Sequence, residues 1–217
     1  MKYIHYVNGE KTPITNIYCI GQNYIAHNKE MGTQDYGDIV VFMKPTSSVI
    51  YNGGKVLIPF ISNNLHYEVE MLIAISEDGY NLSTDEVVEH IGGVGIGVDL
   101  TLRDIQKIAK DNKKPWGVAK GFYTSAPISN FIPMYNISNF NFDLSLNVNG
   151  EIRQSGNSKD MMHTVEELVS FISKVFSIQK GDIIFTGTPA GVGQLLSGDN
   201  VTATLGKNEI ELNFSVK

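Results

Sequence analysis

The chain predicts an α+β fold rich in strand. Strand-like runs outnumber helical ones and do not alternate regularly with them, which separates this pattern from a doubly wound α/β sheet. Asn-Gly pairs recur at Asn8-Gly9, Asn52-Gly53 and Asn149-Gly150, the dipeptide most suited to tight hairpin turns. The stretches Met71-Leu72-Ile73-Ala74-Ile75 and Gly92-Gly93-Val94-Gly95-Ile96-Gly97-Val98 are apolar runs of strand length.

Taken in order, Tyr3 to Val7 and the segment ending in Thr12-Pro13-Ile14 flank the first Asn-Gly and predict a small N-terminal hairpin or extension over 1–16. Ser83-Thr84-Asp85-Glu86 has the spacing of a capping box and predicts a helix carrying Val87, Val88 and Ile91. A second helix is predicted from Thr101 to about Asn112. Leu144 to Val148 alternates apolar and polar residues before Asn149-Gly150 and Glu151-Ile152-Arg153, a hairpin signature. Thr164-Val165-Glu166-Glu167 opens the clearest helix, with Val165, Leu168, Val169, Ile172, Val175 and Phe176 on one face and Gly181 as its expected end. Strands and turns fill the rest, including the loop Gly187 to Gly193. There is no internal repeat and no linker, so residues 1–217 read as a single domain.

Composition narrows the function. With 42% hydrophobic and 18% charged residues the chain has the profile of a soluble globular protein. No apolar stretch has the length of a membrane span, and Met1 to Val7 lacks a secretory signal pattern. A net charge of −6 and the lack of a basic stripe argue against nucleic acid as a partner. The lone Cys19 excludes an internal disulfide, fits a reducing cytoplasm and reads as a buried structural thiol. Two arginines stand against fifteen lysines, which draws notice to Arg103, four residues past Asp99.

Glu68 and Glu70 open the first apolar run. Side chains two apart on a strand share a face, so two carboxylates would meet there and raise a pKa unless a cation lay between them. Asp99 ends the second apolar run and offers a third oxygen. Three carboxylates without Cys or paired His suit a hard cation, Mg²⁺ or Mn²⁺. A bare Glu-x-Glu also fits a solvated strand edge. His27 and Glu30 are three apart and, in a helix, would form a dyad able to activate water; the spacing fits a surface histidine equally. Lys120 lies in an apolar, aromatic setting, as an oxyanion-directed cation or a snorkelling side chain. Arg103 and Gln106 share a helix face, pointing either to Asp99's cation or to solvent. The two Gly-rich runs lack dinucleotide and P-loop spacing, and His66 and His163 read as structural histidines.

These residues carry a family resemblance. Gly21-Gln22-Asn23-Tyr24 through Glu30-Met31, Phe42-Met43-Lys44-Pro45, Leu65 to Glu70, Asp99 to Gln106, Trp116 to Phe122, Val148 to Gln154 and Asp182 to Pro189 occur in order as in the fumarylacetoacetate hydrolase family. The chain is most similar to its short members, the acylpyruvate hydrolase/oxaloacetate decarboxylase type. That resemblance implies a mixed sheet rolled into a partial barrel with flanking helices, and a homodimer. It implies Glu68, Glu70 and Asp99 as ligands of one Mg²⁺ or Mn²⁺, His27 and Glu30 as a catalytic dyad on a mobile lid, and Lys120 as the active-site lysine. Lys44, Arg103, Gln106 and Thr188 fall where the family contacts a small 2-keto acid. Gln22 departs from the family's usual Arg, which puts lid closure in question. The implied reaction is metal-dependent C–C hydrolysis of acylpyruvates, with decarboxylation of oxaloacetate open to the same enolate. Isomerisation or hydrolysis of larger dicarboxylates, such as fumarylpyruvate or 2-hydroxyhepta-2,4-dienedioate, is the alternative, and a non-catalytic 2-keto-acid binder a more distant one.

Overall fold

The structure, a computed structural model, describes residues 1–32, 37–207 and 209–217. The chain opens with the antiparallel pair β1 (Tyr3–His5) and β2 (Lys11–Pro13) around Asn8-Gly9. Next come β3 (Ile17–Gly21), the short helix α1 (Ile25–Glu30) and β4 (Val40–Met43). Three short strands follow, β5 (Val49–Ile50), β6 (Gly54–Val56) and β7 (Leu65–Tyr67). The apolar runs form β8 (Val69–Ile75) and β9 (Ile91–Val98). Then β10 (Thr101–Leu102) runs straight into α2 (Arg103–Asp111), followed by the single turn α3 (Gly117–Lys120). Beyond β11 (Ala126–Pro127) and β12 (Ile132–Pro133) lies the hairpin β13 (Asp143–Val148) and β14 (Glu151–Asn157). Helix α4 (Val165–Val175) precedes β15 (Ile183–Phe185), β16 (Gly193–Leu195), β17 (Asn200–Leu205) and β18 (Ile210–Val216).

The fold is α+β and strand-rich. A six-stranded mixed sheet has the order β12-β9-β8-β15-β3-β4, with β15 and β3 parallel. A five-stranded sheet has the order β14-β13-β17-β18-β6, and β10-β7-β16 form a smaller one. Among the described residues no sheet closes on itself. β8 is buried along its whole length because it is covered on both faces. Val69, Met71 and Ile73 join one core with Leu146, Ala203, Leu212 and, from α4, Leu168 and Ile172. Leu72 and Ala74 point the other way, into a second core with Ile17, Cys19, Phe131 and Phe185. Glu70 is in phase with this second set.

Antiparallel register then builds the site. Val69 pairs with Val98 and Glu70 with Gly97. One step further the Asp99 amide donates to the Glu68 carbonyl at 2.7 Å. Residues 31 apart in sequence are therefore brought side by side by the hairpin of β8 and β9. β9 needs its glycines for close approach: a Cβ on Gly93 would meet the Ile132 carbonyl oxygen at 2.4 Å.

Several local expectations hold. Asn149 and Gly150 both take positive φ, 53° and 86°, in the turn between β13 and β14. Thr164 and Glu167 make the capping box of α4. Others are corrected. The predicted helix after Ser83 is only a 3₁₀ turn, Val87–His90. Ser83 does donate to Glu86 through its amide and hydroxyl, at 2.8 and 2.7 Å, but Ile91 is already claimed by pairing with Ile75. Helix α2 begins at Arg103 and not Thr101, because Thr101 pairs with His66 on β7. Helix α4 ends at Val175; Ser177 breaks it at φ 61°, and Gly181 at φ 92° serves the later turn against Pro13.

Candidate metal centre and active site

Glu68 lies at the junction of β7 and β8, Glu70 on β8, and Asp99 just past β9. One carboxylate oxygen from each falls within 4.8 Å of the others, and all three residues are buried. Burial, with Asp99 and Glu68 as charged neighbours, pushes the Glu70 carboxyl well above the ordinary glutamate range. Its Oε2 accepts a 2.8 Å hydrogen bond from the Gly187 amide. The strand-face repulsion expected from the sequence thus falls on Glu70.

Cations neutralise the other two. Lys120 ends α3 and places Nζ 2.6 Å from Glu68 Oε2 and 2.6 Å from Asp99 Oδ2. Arg103, at the start of α2, reaches Glu68 Oε1 at 2.5 Å and donates to Gln106 at 2.7 Å. Burial alone would raise Glu68; Lys120 and Arg103 overcome it and hold the carboxyl well below its usual value. Burial alone would lower Lys120, and Asp99 and Glu68 reverse that, so its ammonium is held above the ordinary lysine range. Three convergent buried carboxylates, two of them bridged by an ammonium, are a hard-donor set that fits a divalent cation.

His27 and Glu30 come together on α1, with Nδ1 3.2 Å from Glu30 Oε2. The Gly191 amide donates to both Glu30 oxygens at 3.1 and 3.2 Å, tying the helix to the Gly187–Gly193 loop. Gly191 sits at φ 100°, where a Cβ would come 2.5 Å from the Arg153 carbonyl oxygen. His27 lines the same cavity as the three acids, as do Arg103, Gln106, Lys120 and Thr188. Gln22 also lines it, held at φ 66°.

Lys44 is brought to the site but not to its cavity. It is buried behind Asp99, Nζ 2.8 Å from Oδ1, and donates to the Leu100, Lys120 and Ser125 carbonyls and the Ser125 hydroxyl. Its donors are directed there, so Lys44 packs behind Asp99 and pairs with it. His66 stands beside the site; burial and the nearby Arg103 lower its pKa to about 4. Cys19 is buried and its thiol is pushed up by burial, as a structural residue.

The structure adds residues to which the sequence assigned no role. Gln154, 1% exposed, accepts from the Val69 amide at 2.9 Å and donates to Thr188 Oγ1 at 2.8 Å, fixing the threonine that lines the cavity. A buried glutamine in an otherwise exposed stretch of β14 would have been the signal, but exposure is not readable from one sequence. Phe42, Trp116, Met31 and Lys110 complete the wall.

Residues 16–213 match the family described as fumarylacetoacetate (FAA) hydrolase C-terminal. The chain is 40% identical over 201 residues to the protein named oxaloacetate tautomerase FAHD1, mitochondrial, of Arabidopsis thaliana, covering 92% of this chain and 90% of the relative. It is 40% identical over 194 residues to oxaloacetate tautomerase YcgM of Escherichia coli (strain K12), covering 88% and 89%. A crystal structure of fumarylpyruvate hydrolase from Pseudomonas aeruginosa, in complex with Mn²⁺ and pyruvate, superposes with a TM-score of 0.94 at 31% identity, covering 99% of this chain and 95% of that one. Matched along nearly its whole length in sequence and in fold, the chain belongs to the fumarylacetoacetate hydrolase family.

Proposed function

We propose that this protein is a divalent-metal-dependent enzyme that converts 2-oxo acids through their enolates. One observation carries the reading: three buried carboxylates, Lys120 and His27 line one cavity, with Glu30 held against the His27 ring. Glu68, Glu70 and Asp99 would hold Mg²⁺ or Mn²⁺. That cation supplies Lewis-acid polarisation of the substrate's 2-oxo group. Lys120 is placed to donate to the oxygen where negative charge develops. Arg103, Gln106 and Thr188 orient the carboxylate end. His27, with Nδ1 held by Glu30, keeps Nε2 as the base.

Enolisation of oxaloacetate is the first reaction proposed, supported by the 40% identity to two oxaloacetate tautomerases. There His27 would take a proton from the carbon next to the 2-oxo group while the enolate oxygen gains one, giving the enol; the reverse steps restore the ketone. Decarboxylation of oxaloacetate reaches the same enolate by loss of CO₂. The dyad favours a second reaction, acylpyruvate hydrolysis. His27 would deprotonate water, the water oxygen would attack the distal carbonyl, and the C–C bond would break with its electrons passing to the pyruvate enolate. The solved fumarylpyruvate hydrolase supports this second reading. A cytoplasmic homodimer remains part of the proposal on the family resemblance.

The test supplies Mn²⁺-loaded protein with oxaloacetate and follows enol absorbance and pyruvate formation together. Enzyme-accelerated loss or gain of enol supports the reading; rates equal to those of Mn²⁺ alone overturn it.

A further inference from the structure

Two ammonium groups bracket one aromatic pair in the cavity wall. Lys120 Nζ lies 5.0 Å from the Phe42 ring centroid, Phe42 and Trp116 are 5.7 Å apart, and Lys110 Nζ lies 5.0 Å from the Trp116 ring. All four residues line the cavity that holds the three acids. Lys120 is occupied by Glu68 and Asp99, whereas Lys110 has no carboxylate within 4.0 Å among the described residues. Its neighbour Lys107, on the same helix, is an ordinary exposed lysine paired with Asp111 at 2.7 Å.

Placement on α2 sets the distance between the two ends of the wall. Arg103, Gln106 and Lys110 recur at helical spacing and share a face. Lys110 lies about 10 Å beyond Arg103 along the helix axis, and helical side chains tilt back toward the N-terminus, here toward the acids. The indole holds the ammonium without cancelling its charge. Burial first, then Arg103 and Lys120, lowers the Lys110 pKa. The charges of Glu68, Glu70 and Asp99 are matched by Lys44, Lys120 and Arg103. A divalent cation and Lys110 then leave an excess that one carboxylate cannot balance.

We propose that Lys110 is a specificity-determining residue that receives a second carboxylate, at the end of the substrate remote from its 2-oxo acid group. The site then selects 2-oxo dicarboxylates over 2-oxo monocarboxylates, a refinement that rests on the 2-oxo-acid reading above.

The test measures calorimetric affinity of Mn²⁺-loaded protein for 2-oxoglutarate and 2-oxopentanoate. These ligands have equal chain length and differ by the terminal carboxylate, and neither has the activated carbonyl needed for cleavage. Wild type is expected to favour 2-oxoglutarate about tenfold, equivalent to about 1.4 kcal/mol. Lys110→Gln should reduce that preference to less than about threefold through 2-oxoglutarate alone, with Mn²⁺ affinity and Tm unchanged, and Lys110→Arg should restore it. If both ligands bind wild type without preference, or Lys110→Gln weakens both equally, the role of Lys110 is overturned while the 2-oxo-acid reading stands. If neither ligand binds, that reading falls and the role of Lys110 with it.

Discussion

Lys120 Nζ lies 2.6 Å from Asp99 Oδ2, and the same ammonium is 2.6 Å from Glu68 Oε2. A buried ammonium thus bridges two of the three acids that converge on the candidate metal centre. Removing one partner of a buried ion pair strands the other, at a cost of about 3 kcal/mol or more. Lys120→Met should therefore destabilise the metal-free protein by about that amount in chemical denaturation. It should also bind Mn²⁺ more tightly by calorimetry, since the ammonium and the cation oppose each other, yet turn over substrate more slowly. Weaker Mn²⁺ binding would remove Lys120 from this competition.

Glu70 gives the pH dependence. Its pKa is raised in the folded state, so its contribution to stability is present below the unfolded glutamate pKa, about 4.3. That contribution is lost as pH rises through the folded value. Metal-free Glu70→Gln should match wild type near pH 4 and exceed it in Tm at pH 8, by about 2–4 °C for each kcal/mol. Mn²⁺ should raise the Tm of wild type but not of the variant. Equal Mn²⁺ shifts in the two would exclude Glu70 as a ligand.

His27 and Glu30 separate acylpyruvate hydrolysis from oxaloacetate decarboxylation. His27→Ala should lower acetylpyruvate hydrolysis by about 10²–10⁴-fold while sparing much of the oxaloacetate decarboxylation, which needs no activated water. Glu30→Gln should follow the same pattern more weakly. Parallel loss of both activities would contradict the water-activating role.

Gly191 holds Glu30 through its amide while sitting at φ 100° against the Arg153 carbonyl. Gly191→Ala should cost about 1–3 kcal/mol from backbone strain and reduce hydrolysis by shifting Glu30. Thermal denaturation and steady-state kinetics check both effects. Unchanged kinetics in a destabilised variant would mean that the loop does not position the dyad.

Chemistry was legible in the sequence where it depended on spacing over a few residues. Glu68 with Glu70, His27 with Glu30, and Arg103 with Gln106 could each be read locally. The union of Asp99 with Glu68 required the pairing of β8 and β9, which the family resemblance supplied and spacing alone did not. The capping pattern at Ser83 formed in miniature, but its helix was overruled by the demand of β9 for Ile91. The family resemblance put Lys44 among the residues expected to contact a substrate. Only packing revealed that its donors are committed behind Asp99. Trp116 and Lys110 reach the cavity, and Gln154 reaches Thr188 on its wall, from separate elements, so tertiary structure alone joins them.

The most direct test of metal-dependent enolate chemistry takes metal-stripped protein with acetylpyruvate and follows enol absorbance before and after Mg²⁺ or Mn²⁺ is added. The account predicts a flat trace without metal, then decay accompanied by stoichiometric pyruvate. No decay in protein shown to bind the metal would remove the hydrolytic reaction, and equal decay before and after metal addition would contradict the account.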